Sequence, residues 1–191
     1  MHKQATQAEP TEPDQPPPAD QPSTSITVEL FDALALIDKH TRTTLADLAS
    51  RALAQLPNQG QVRVSIVNDE RMSSAHEQFS GITGTTDVLT FDLAPETKSF
   101  DQKILDTDLT ICFDEAMRQA AALNHPVEHE LLLYIIHGTL HCLGYNDHDD
   151  DEYQRMHTKE DQLLAALDIA PTFYKPAFNK ENTSKQPENE S

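Results

Sequence analysis

The chain has 191 residues, with 14 Lys+Arg against 32 Asp+Glu, a formal net charge of -18 and 37% hydrophobic residues. That length suits one domain with a core large enough to need no disulfide, and the acidic balance argues against a broad electrostatic grip on nucleic acid. No apolar run approaches the ~20 residues of a membrane span, no apolar segment follows Met1 as in a secretory signal, and Cys112 and Cys142 read as buried small hydrophobes of a protein in the reducing cytoplasm.

The segment 1–25 holds half of the twelve prolines and almost no large apolar side chains, so it reads as a disordered tail. Ser25–Leu30 alternates through Ile26, Val28 and Leu30 and reads as a first strand. A helix is expected from about Thr44 to Leu56, with Leu45, Leu48, Ala49, Ala52 and Leu56 on one face and Pro57 as its stop. Val62, Val64 and Ile66 make Gln61–Val67 a strand. Asp69–Phe79 is expected to be helical, Gly81 and Gly84 mark a loop, and Thr86–Leu93 is a β-rich strand. Thr107–Phe113 is another strand, followed by helix Asp114–Leu123. A helix opened by Pro126 runs to about Leu143, where Gly144 ends it. The last helix fits Asp150–Leu167, its apolar stripe formed by Tyr153, Met156, Leu163, Leu164 and Leu167. The tail 176–191 is polar. The interleaving gives a single α+β (mixed α/β) domain over 26–175, with one sheet of about four strands.

The chemistry concentrates in the helix after Pro126. Leu131, Leu132, Leu133, Ile135, Ile136, Leu140 and Leu143 surround it, so it is buried, yet His137 and His141 sit four residues apart and share a face. Two buried imidazoles one turn apart need partners for their polar nitrogens, and chelation of one metal ion supplies them. Gly144 lets the chain turn back with Asn146, Asp147 and His148, from which a third ligand can come. Three protein ligands leave one position open, as in catalytic zinc sites. The layout is similar to the zinc helix of metzincin peptidases, but the general-base Glu that follows their first His is here Gly138. The other histidines offer less: His125 precedes Pro126, and His40, His76 and His157 have no partner at ligand spacing. The acids from Asp147 to Glu152 lack the pattern of a calcium loop and suit the start of the last helix.

The segment HGTLHCLGYNDH, His137 to His148, resembles the H-G-x-L-H-L-x-G-Y-D-H motif of the YbeY family of bacterial metal-dependent endoribonucleases. GTTDVLTFDL, from Gly84 to Leu93, looks like that family's P-T-D-V-L-S-F strand, and Asp108-Leu109-Thr110-Ile111 looks like its G-D-I-V-I strand. The resemblance covers roughly residues 26–170. It implies a zincin-like metal-bearing helix, one Zn2+ per chain and cleavage of single-stranded RNA, with roles in maturing the 3′ end of 16S rRNA and in ribosome quality control. RNA and the ribosome or its proteins are the implied partners. Two positions depart from the family. Its third His aligns with Asp147, and its arginine before the P-T-D-V-L-S-F strand aligns with Ser80, leaving Arg63 or Arg71 to reach the pocket.

The reading is therefore a cytoplasmic zinc-dependent endoribonuclease. His137, His141 and His148 hold the metal, imidazole being the more usual companion of two others, and Asp147 is the alternative ligand. Arg63 and Asp147 serve catalysis, and Thr86 and Asp87 line the substrate cleft. The rivals are a zinc metallopeptidase and a non-catalytic ribosome-associated factor whose metal holds the last two helices together.

Overall fold

The computed structural model describes residues 25–95 and 103–170. The expected tails 1–25 and 176–191 lie outside these residues, Ser25 excepted. The chain forms β1 (Ile26–Phe31), α1 (Lys39–Leu53), β2 (Gln59–Val67), α2 (Asp69–Ser80), β3 (Val88–Asp92), β4 (Ile104–Cys112), α3 (Phe113–Leu123), α4 (Val127–Cys142) and α5 (Asp150–Ala165). Four strands in the order β1-β2-β4-β3 make one mixed sheet, with β1, β2 and β4 parallel and β3 antiparallel at the edge.

Strand alternation divides the sheet into two unlike faces. Val62, Val64, Ile66, Leu105, Leu109 and Ile111 point into the core, where α1 and α4 pack and α5 closes over α4. Arg63, Asp106 and Asp108 point the other way. Gly60, with φ 134°, lets β2 pass against β4, since a Cβ there would lie 2.1 Å from the Leu105 carbonyl oxygen. No helix of the described residues is long and apolar enough to cross a membrane.

Element boundaries move for local reasons. α1 starts at Lys39 rather than Thr44, because the Asp38 carboxylate accepts from the Thr41 N–H at 2.9 Å and caps it. It ends at Leu53, and Leu56 stays buried in the turn that follows. β4 begins at Ile104, three residues earlier than its apolar alternation suggests. β3 is shorter than expected. Asp87 Oδ1 accepts from the Val88 N–H at 2.8 Å, a side-chain bond that leaves Thr86 and Asp87 ahead of the strand, at the mouth of a cleft.

Candidate metal centre

α4 is buried almost all round, from Glu130 through Ile136 and on through Gly138, Thr139, Leu140 and Cys142. Full burial of a Leu or Ile side chain is worth roughly 1.5–3 kcal/mol, so the row of them pins the helix in rotation as well as in place. Its end is a Schellman motif: the Gly144 N–H donates to the His141 carbonyl at 2.9 Å and the Tyr145 N–H to that of Leu140 at 3.0 Å. Gly144 takes the left-handed φ of 89° that this reversal requires. The chain then folds back across the C-terminal half of the helix.

The reversal brings Asp147 to the two histidines, and donor atoms of His137, His141 and Asp147 lie within 4.8 Å of one another. Each ring is held by its other nitrogen. His141 Nδ1 is 3.0 Å from the Tyr145 carbonyl oxygen, and His137 Nδ1 is 2.7 Å from Glu160 Oε1. Carbonyl and carboxylate oxygens only accept, so both Nδ1 atoms carry hydrogen and both neutral rings present a lone pair at Nε2. Those two Nε2 atoms face each other at 3.0 Å. Two lone pairs at that separation repel unless a proton or a cation stands between them. Nitrogens bound at 2.0–2.1 Å to one tetrahedral zinc stand about 3.3 Å apart, so the donor set fits a zinc ion with little adjustment.

Electrostatics agree with the geometry. Burial works to lower the His137 pKa, but the hydrogen bond and charge of Glu160, with Asp87 and Asp147 nearby, outweigh it and raise the pKa above its ordinary value. His141 is lowered, first by burial and then by His137. Without metal, an extra proton on the pair resides on His137 rather than His141.

The histidines open into a cleft of about 400 Å³ lined by Thr86, Asp87, Val88, Thr90, His137, His141 and Asp147. Asp87 is fixed there, its Oδ1 accepting from Thr86 Oγ1 at 3.0 Å as well as from Val88 N. The opposite wall comes close because position 138 is glycine. A Cβ on Gly138 would lie 2.9 Å from Leu109 Cδ2 and 3.1 Å from Cγ2 of both Thr90 and Val88. The position that holds the peptidase general base thus has no room for a side chain, and β3 occupies the space.

The profile of endoribonuclease YbeY matches residues 29–168 of this sequence. The chain belongs to the endoribonuclease YbeY family. It is 31% identical over 154 residues to the endoribonuclease YbeY of Shouchella clausii, covering 75% of this chain and 96% of that one. With the endoribonuclease YbeY of Frankia alni it shares 34% identity over 141 residues, 70% of this chain and 77% of the relative. A solution structure of a Thermotoga maritima protein matches with a TM-score of 0.46 and 19% identity over 81% of this chain and 99% of that one.

Within the YbeY frame, several site expectations find different places. The residue brought to the histidines is Asp147. His148, expected as the ligand, is exposed and outside the cluster, because one further residue of the turn carries it away to solvent. Arg63 does not reach the cleft. It projects from the opposite sheet face, where its Nε and Nη2 donate to Asp108 at 2.5 Å and Asp106 at 2.7 Å. Arg71 lines a separate groove with Asn68 and Ser74. Ser80 is exposed and donates from Oγ to the His76 carbonyl. Among the described residues, no Lys or Arg lines the cleft.

Three contributors escape a motif-based reading: the Tyr145 carbonyl, Thr90 and Glu160. Only Glu160 left a signal, as a carboxylate falling within the apolar stripe of α5 between Met156 and Leu163.

Proposed function

We propose that the chain is a zinc-dependent endoribonuclease that cleaves single-stranded RNA in the cleft between α4 and β3, with His137, His141 and Asp147 as the metal ligands. The observation that carries this reading is the pair of Nε2 lone pairs facing each other at 3.0 Å with a carboxylate alongside, open to a cleft. Zinc bound there supplies Lewis-acid polarisation of the phosphodiester. The chain's own residues do the rest. Asp147 adds a negative ligand and so tempers the charge of the centre. Thr86 and Thr90 offer hydroxyls to the sugar-phosphate backbone, and Asp87, with Oδ1 already engaged, has Oδ2 to orient a hydroxyl of the substrate or accept its proton.

The acidic lining sharpens the metal requirement. With Asp87 and Asp147 in the cleft and no cationic side chain beside them among the described residues, the ion is the charge that meets the phosphate, so RNA binding as well as cleavage draws on it. The family's task extends to this chain as part of the proposal: maturation of the 16S rRNA 3′ end and ribosome quality control in the cytoplasm, on or near the ribosome.

The test is metal content together with cleavage of single-stranded RNA by purified wild type, Asp147→Asn and His148→Ala, with a peptide library as a parallel substrate. Wild type is expected to carry about one zinc per chain and to cut RNA but no peptide. Asp147→Asn should lose zinc and His148→Ala should keep it. RNA cleavage by a metal-free wild type overturns the reading.

A further inference from the structure

α5 contributes no ligand to the metal centre, yet its middle carries a wholly sequestered carboxylate: the Glu160 side chain is 0% exposed. Both of its oxygens are engaged by imidazoles. Oε1 is 2.7 Å from His137 Nδ1 and Oε2 is 2.6 Å from His157 Nδ1. His157 is itself buried, and Tyr153 packs edge-on against its ring with centroids 3.9 Å apart. A buried carboxylate is tolerated where it is paired and hydrogen-bonded, and here two N–H groups from two rings meet that need.

We propose that Glu160 is a positioning residue of the metal centre and His157 its anchor. Glu160 fixes His137 as the Nδ1–H tautomer and aims its Nε2 lone pair at the point where His141 and Asp147 converge. This rests on the reading of His137, His141 and Asp147 as a metal site. The alternative tautomer would set the Nδ1 lone pair against Oε1 at 2.7 Å and turn an N–H toward the ion. One partner alone would leave the carboxylate free to rotate about its last bond. His157, one turn earlier on α5, holds Oε2 and so fixes the direction of Oε1. The tautomer of the α4 ligand is therefore set from α5, which does not line the cleft.

Imidazole nitrogen NMR on the metal-free, full-length protein reads the tautomer directly, at a pH where His137 is neutral. Wild type should show hydrogen on Nδ1 of His137, and hydrogen on Nε2 instead overturns the proposal. In Glu160→Gln the amide offers one acceptor and one donor, so it cannot accept from both rings, and one imidazole should change tautomer. Zinc affinity should fall by about 10–100-fold, the scale of losing a partner behind a metal ligand, with the circular dichroism spectrum unchanged. Wild-type zinc affinity in Glu160→Gln overturns the assignment. Should that variant fail to fold, His157→Asn decides in its place. A smaller loss of zinc affinity is expected there, and none at all removes His157 as the anchor. Zinc titration of the wild type separately tests the metal site itself. A wild type that takes up no zinc sinks that reading, while the tautomer still decides what Glu160 does to His137.

Discussion

α4 carries two polar clusters, one at each end, and they resolve the same problem in opposite ways. At the N-terminal end, His125 and Glu130 meet directly, Nε2 to Oε1 at 2.8 Å, with side chains 17% and 3% exposed. Burial pushes the Glu130 carboxyl up, His125 draws it part of the way back, and the nearby Tyr134 hydroxyl is driven up by the same burial. Acid and base face each other directly, and the imidazole Nε2 is turned to the carboxylate rather than to a cleft. At the C-terminal end the carboxylate of Glu160 stands behind the histidine, on Nδ1, and the Nε2 atoms are turned toward each other. The carboxylate in front of His125 makes an ion pair, and the one behind His137 leaves Nε2 turned toward the cleft, as the proposed metal site requires. The orientation of the acid, not the presence of histidine, separates the two ends of the helix.

Breaking each end should give different losses. His141→Ala removes one of the three proposed ligands, so zinc affinity should fall by more than the ~10–100-fold of outer partners, with RNA cleavage lost and folding largely kept. Competitive chelator titration and melting curves report both. The peptidase-like Gly138→Glu would drive a side chain into Leu109, Thr90 and Val88 and should leave no folded protein. The milder Gly138→Ala gains about 1 kcal/mol of helix propensity but overpacks by ~1–3 kcal/mol, so denaturant melts should show a small net loss, with weaker cleavage as α4 moves off β3.

At the other end, Glu130→Ala should cost about 1–3 kcal/mol by leaving His125 without its partner, while zinc affinity stays at the wild-type value. A matching loss of zinc would erase the distinction between the two clusters.

A half-exposed pair marks the bottom of the scale. Arg118 donates to both carboxylate oxygens of Asp69, at 2.7 and 2.8 Å, and this bonding, helped by Cys112, holds the Asp69 pKa at about 2 against the opposing pull of desolvation. A depressed carboxylate stabilises the fold above its unfolded pKa of about 3.9, and that contribution is lost as pH falls toward 2. Because both side chains are more than 40% exposed, at 48% and 43%, solvent screens the pair. Asp69→Asn should lower the neutral-pH melting temperature by no more than a few degrees, and the gap from wild type should close as the pH is lowered through that window.

The order of elements was legible because each rested on a period or a punctuating residue: Val62, Val64 and Ile66 for β2, Gly144 for the end of α4, and Asp149, whose carboxylate accepts from the Glu152 N–H, for the start of α5. Boundaries slipped where one side chain competed with the backbone, as Asp38 and Asp87 do. In the site, His137 and His141 declared themselves by spacing on one helix. The third member of the cluster depended on the path of a turn: chemical preference pointed to His148, and the residue the turn sets beside the histidines is Asp147. Arg63 was drawn toward the cleft by its charge, but strand alternation sends it to the other face beside Asp106 and Asp108. Glu160 showed as a carboxylate within an apolar stripe, but its link to His137 did not, because that partner is on a different helix, 23 positions away.

The strand order β1-β2-β4-β3 also bears on the sequence of events as the chain folds. β2 and β4, adjacent in the sheet, pair residues such as Arg63 and Asp108 that are 45 positions apart, and β3 lies between them in the chain but outside them in the sheet. Loop closure on that scale must precede the contacts that reward it. β3 and β4, by contrast, are neighbours in the chain and pair antiparallel, with Asp92 opposite Thr107. The wall that faces the paired histidines is thus set by a short-range pairing, while the sheet that carries it closes by a long-range one.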